Sequence, residues 1–185
     1  MPANAIYFDH EFLRYIKPGR MGASIARSYT RATPTHAILA EMYTDMVAAN
    51  GFNTLNICFH GAAAGHQIDS RSGTPYRVTG LGIRLGHDLL TYDNMELLRP
   101  FHRGARQIML FSCSIAGTEG SSFRPIGEPT GMDFCRRMAQ ITDTPVYASS
   151  DAQIAAWVDT NFFNGTVYRF NPNGTHVMVQ NMTPE

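Results

Sequence analysis

Two short apolar runs, each stopping at a reactive side chain and a small-residue loop, constrain this chain more than any other feature. One is Gln107-Ile108-Met109-Leu110-Phe111, which runs into Ser112-Cys113-Ser114-Ile115-Ala116-Gly117. The other, upstream, is Thr54-Leu55-Asn56-Ile57-Cys58-Phe59, which runs into His60-Gly61-Ala62-Ala63-Ala64-Gly65. Apolar runs of this length, ended by turn signals, suit strands buried on both faces of a parallel sheet. Open α/β sheets place binding and catalytic groups at the C-terminal strand edge. If the two strands lie side by side and parallel, His60 and Cys113 emerge at the same edge. A thiol and an imidazole there are the two parts a cysteine hydrolase needs.

The remaining pattern alternates strand and helix signals, which predicts an α/β fold. Ala5–Phe8 reads as a short first strand, and the rest of residues 1–33 carries little pattern. Thr33 reads as a helix N-cap with Pro34 at the first helical position. Ile38, Leu39, Met42, Met46 and Val47 follow at helical spacing, with Asn50-Gly51 as the stop. The polar stretch from Gln67 to Gly80 reads as a surface loop rimming the His60 edge. Leu81–Gly86 is a candidate strand, and Asp93 or Asn94 a candidate cap for a short helix ending near Phe101. Gly131–Ile141 has helical spacing and Pro145–Ser149 reads as a buried strand. Thr166–Phe170 and Thr175–Val179 around Asn171-Pro172-Asn173-Gly174 predict a C-terminal β-hairpin. With no repeat or linker, the expectation is one domain spanning 1–185.

Composition narrows the function. Lys+Arg and Asp+Glu both total 15, so no net field favours nucleic acid or a membrane surface. Three cysteines without close pairs argue against a disulfide framework and for a reducing compartment. No signal peptide pattern opens the chain and no apolar run is long enough to span a bilayer. The expected location is the cytoplasm, with leaderless export as the alternative.

Rival chemistries fit less well. A serine hydrolase of the α/β type needs a Gly-x-Ser-x-Gly elbow, which Ser112 and Ser114 lack, and a histidine last in order, where only His176 stands. A zinc site has Cys58, His60 and His66 to draw on, but no Cys-x-x-Cys or His-x-x-x-His pair, so no metal and no cofactor are expected. Cys58 and Cys135 read as core residues. Asp69 or Asp88 are candidates to orient His60, Asp151 a weak candidate for a basic substrate side chain, and Trp157 a buried anchor or, as a weak candidate, a wall of a binding pocket. Thr118 to Thr130, rich in Gly, Ser and Pro, reads as a mobile binding loop.

The order strand–His60-Gly61, strand–Cys113, strand–Ala148-Ser149-Ser150 resembles the caspase-like fold of the clan CD cysteine peptidases, the caspases, legumains, gingipains and bacterial CHAT peptidases. Leu85–Leu90 and Ser112–Gly120 are similar to bacterial domains of this type. His also precedes Cys by the roughly 50 residues found in caspase-type enzymes. The resemblance covers residues 50 to 150. It implies a three-layer, flavodoxin-like domain with a mainly parallel sheet flanked by helices. It also implies Cys113 as nucleophile, His60 as base, and the backbone N–H groups of Gly61 and Cys113 as oxyanion hole. The expected substrate is a peptide or protein. The alternative is a catalytically inactive caspase-like domain serving as a binding or signalling module. The sequence does not give the oligomeric state.

Overall fold

The computed structural model describes residues 2–13, 15–16, 18–19, 21–62, 65–68, 75–78, 82–112, 115–116, 129–150, 163 and 165–182. Its centre is a seven-stranded sheet. Five strands run parallel: β1 (Ala3–Asp9), β2 (Ile25–Tyr29), β3 (Phe52–Cys58), then Ile108–Leu110 and Val146–Ser149. Between β3 and Ile108 lie five shorter strands: β4 (Gly61–Ala62), β5 (Gly65–Ile68), β6 (Pro75–Val78), β7 (Gly82–Leu85) and β8 (Asp88–Thr91). The Ile108 and Val146 strands are therefore β9 and β10. Two antiparallel strands, β11 (Gly165–Phe170) and β12 (His176–Met182), complete the sheet beyond β10. The full order is β12-β11-β10-β9-β3-β1-β2.

The alternation of buried side chains shows why these segments are central strands. On one face lie Ala5, Tyr7, Leu55, Ile57, Ile108, Leu110, Val146 and Ala148, and on the other Ile6, Phe8, Cys58 and Phe111, with half-buried Met109 and Tyr147 beside them. Burying a side chain such as Ile57 or Leu110 contributes about 1.5–3 kcal/mol. Both faces being covered explains the continuous apolar runs in the sequence.

Helices α1 (Thr35–Ala48) and α2 (Gly131–Thr142), with the 3₁₀ helix Met95–Phe101, pack on the first face through Ile38, Met42, Phe134, Met138, Met95 and Leu98. The reason is handedness. Crossovers β2 to β3, β3 to β9 and β9 to β10 all travel the same way along the sheet, and right-handed connections travelling one way share one face. The crossover from β1 to β2 travels the opposite way. Its residues Ile16 and Met21 accordingly pack on the second face, beside Phe163. The direction reverses between β1 and β3, the position in an open α/β sheet where ligands commonly bind at the C-terminal edge.

Local differences from the sequence reading have physical causes. Helix α1 starts at Thr35 with Pro34 extended at the cap (ψ 137°), so Thr33 does not cap it. The Thr35 hydroxyl donates instead to the Leu85 carbonyl at 2.6 Å. Helix α2 carries a capping box between Thr130 and Asp133. Asn94 gives the Met95–Phe101 helix no side-chain cap, because its amide is spent on Thr91 and Leu89. The stretch expected as a polar loop holds the antiparallel ribbon β5–β6. Among the described residues no helix is long and apolar enough to cross a membrane.

Candidate active site

His60 sits two residues beyond β3, after the fully buried Phe59. Its backbone is held from one side: the His60 carbonyl accepts the Arg84 N–H of β7 at 2.8 Å, and Gly61 pairs with Ile83. This register makes Gly61–Ile83 a non-hydrogen-bonded pair, so the Gly61 N–H stays outside the β4–β7 ladder. The imidazole is about one-third exposed, and its Nε2 meets Glu11 Oε2 at 3.0 Å. The Phe12 ring lies against it, with centroids 4.6 Å apart.

Glu11 reaches that position because β1 and β3 are neighbours. It lies in the 3₁₀ turn His10–Phe12 directly after β1, where the buried Asp9 accepts the Glu11 N–H at 3.0 Å. Arg31, just past β2, donates to the same Glu11 oxygen at 3.1 Å. The hydrogen bond from His60, with Arg31 adding its charge, holds the Glu11 carboxyl below the usual carboxylate range. An ionised carboxylate only accepts, so the neutral imidazole carries its proton on Nε2 and presents a lone pair at Nδ1. A base held in one tautomer is what this arrangement can supply.

The neighbouring strand β9 runs parallel to β3, with Leu110 beside Ile57. Phe111 N–H donates to the Ile57 carbonyl at 2.9 Å, and Ser112 is buried with its Oγ unpaired among the described residues. Beyond Ser112, the buried Ile115 and Ala116 are anchored by Ala116 N–H donating to the Ser149 carbonyl at 3.0 Å. Cys113 itself, Asp151, Trp157, Asp69, and Thr118 to Glu128 lie outside the described residues. Cys58 and Cys135 are fully buried, and burial pushes both thiols well above the usual range. They pack in the core, as their apolar neighbours in the sequence suggest.

The acid that contacts His60 is Glu11 and not Asp88, whose carboxylate is spent on His87 Nδ1 at 2.8 Å. Asp9, Glu11 and His60 bring their ligand atoms within 4.8 Å of one another. Sequence reading passed over Asp9 and Glu11. The signal available was the cluster Asp9-His10-Glu11 at the end of a predicted first strand. Only strand order could connect it to His60. Compared with known proteins, the chain matches no family model and no curated protein.

Proposed function

We propose that the protein is a cysteine hydrolase that cleaves peptide bonds with Cys113 as nucleophile and His60 as base. The observation that carries this reading is the tautomer lock: Glu11 takes Nε2 of His60, and among the described residues no hydrogen bond holds Nδ1 at the C-terminal edge of β3. The chain reaches Cys113 three residues past Leu110 and His60 three residues past Ile57, and Leu110 and Ile57 are register partners in parallel strands. The strand order, with an antiparallel pair at one edge, agrees with a caspase-like domain. In the reaction His60 Nδ1 takes the thiol proton and the thiolate attacks the peptide carbonyl carbon. The carbonyl oxygen becomes an oxyanion held by the N–H groups of Gly61 and Cys113, and imidazolium returns the proton to the leaving amine. Water then attacks the thioester, His60 accepting its proton, and the carboxylic acid departs as the thiol re-forms. Glu11 keeps the ring oriented and stabilises the imidazolium.

Thiol alkylation and peptide cleavage test this together. Cys113 is expected to react with iodoacetamide well below pH 8.5, the ordinary thiol range, while Cys58 and Cys135 stay unmodified in the folded chain. A fluorogenic peptide library is expected to yield substrates that Cys113→Ala cannot cleave. An unreactive Cys113 with no cleaved peptide would favour a binding module on the same scaffold. Cleavage that survives Cys113→Ala would end the cysteine mechanism.

A further inference from the structure

We infer that Asp9, Glu11 and His60 form an inhibitory site for a divalent transition-metal ion such as Zn²⁺, an inference that rests on the hydrolase reading for its consequence but not for its binding. One imidazole nitrogen and two carboxylate oxygens are the donor set that zinc accepts, with a water as fourth ligand. The three ligand atoms lie within 4.8 Å of one another. Tetrahedral zinc with bonds of about 2.0–2.1 Å puts its ligand atoms roughly 3.3 Å apart. The His60 Nε2–Glu11 Oε2 distance is already 3.0 Å. An ion entering in place of the hydrogen-bonded proton therefore widens this contact only slightly, and a ligand oxygen of Asp9 lies within 4.8 Å of both atoms.

A second observation points to a cation. Asp9 is 2 % exposed, and among the described residues its carboxylate accepts the Glu11 N–H and pairs with no arginine or lysine. Glu11 also carries the competitor, because Arg31 holds its Oε2 at 3.1 Å. Arg31 must swing away for the ion to bind, and its side chain is more than half exposed and free to do so.

The consequence follows from the tautomer. Without metal, the proton sits on Nε2 and Nδ1 is the base. With metal on Nε2, the proton of the neutral ring sits on Nδ1, which becomes a donor and can no longer take the thiol proton. No electron moves and no bond other than N–H and metal–ligand bonds changes. The metal turns the base off by exchanging its two nitrogens.

Zinc sulfate titrated into the Cys113→Ala protein against a chromophoric chelator tests the site without thiol binding or activity. One equivalent is expected, weakened about tenfold or more by Glu11→Gln and by His60→Gln. His87→Gln is expected to change nothing, and Arg31→Gln to tighten binding. Circular dichroism confirms folding of each variant. Asp9→Asn is also expected to weaken binding, but Glu11 is exposed, so Glu11→Gln decides if the buried change unfolds the chain. No stoichiometric zinc, or equal binding in Glu11→Gln and His60→Gln, would overturn the site. In the wild-type protein zinc is expected to stop peptide cleavage and a chelator to restore it. Binding without inhibition of an active enzyme overturns the switch. A protein that binds zinc but cleaves nothing leaves the site standing and removes the hydrolase reading.

Discussion

Replacing Gly86 by alanine isolates the turn that supports the candidate site. Gly86 joins β7 to β8 with φ +72°, and a Cβ there would lie 2.2 Å from the Thr33 carbonyl oxygen and 2.7 Å from Ile38 Cδ1. The left-handed conformation costs alanine about 1 kcal/mol relative to glycine. The carbonyl must retreat by about 1 Å to reach ordinary contact, which strains the 2.8 Å hydrogen bond that His87 N–H donates to it. Losing that bond costs about 1 kcal/mol, and displacing Ile38 in a packed core about 1–3 kcal/mol. Together these give a loss of about 3–5 kcal/mol, or roughly 6–20 °C in Tm for a chain of this size. Urea unfolding followed by circular dichroism measures it. Gly19→Ala is the control, since a Cβ there has nothing within 4 Å, and it is expected to stay within about 0.5 kcal/mol of wild type. The damage also reaches the site, because β7 donates Arg84 N–H to the His60 carbonyl. A Gly86→Ala protein within 1 kcal/mol of wild type would refute the idea that this turn is locked against Thr33.

Other expectations follow from single features. Thr130→Ala removes the capping box of α2 and is expected to cost about 1 kcal/mol, read from the urea midpoint. The hydrogen bond from Arg27 holds the Asp45 carboxyl below its usual range. A depressed folded-state value means that the Asp45 contribution is fully present above the ordinary carboxylate range and is lost as pH falls through the folded value, so acid unfolding is expected to flatten in Asp45→Asn. Burial, with the hydrogen bond to Asp45, raises the Tyr7 phenol above its usual range. Its contribution is present below pH 10 and lost as pH rises through the raised value, so Tyr7→Phe is expected to lessen alkaline destabilisation. On the proposed mechanism, the His60→Ala, Cys113→Ala double variant is expected to cleave peptides little worse than either single one, because a base and its nucleophile act as a unit.

The sequence discloses β3, β9 and β10 because each is buried on both faces and so reads as an unbroken apolar run. It discloses α1 and α2 through their 3.6-residue spacing. It conceals β2, whose outward positions Ala26, Arg27 and Ser28 are exposed at the sheet edge, so no periodic apolar face marks it. The start of α1 is displaced by one residue, with Pro34 in place of Thr33 at the cap, and Thr35 is recruited to Leu85 of β7. That bond joins residues fifty positions apart, and no local propensity encodes it. His60 is legible because glycine and small residues follow an apolar run. Glu11 is not, because its role comes from which strand lies beside which.

Strand adjacency also explains why so many charges meet at one edge. Arg31, Glu11 and His60 each follow the end of a parallel strand, β2, β1 and β3, and those strands are consecutive in space. In a parallel sheet every C-terminus points the same way, so residues placed just past neighbouring strands converge without any long-range design of loops. The direction of the crossovers reverses between β1 and β3. Glu11 and His60 meet there with both side chains partly exposed to solvent. The next strand along, β9, ends at Leu110 beside Ile57, and β10 ends at Ser149. A swap of Glu11 with a residue on any other strand end would break the tautomer lock while leaving the charge of the edge unchanged. The pairing of Glu11 with His60 thus depends on the strand order 2-1-3 and not on the charge count.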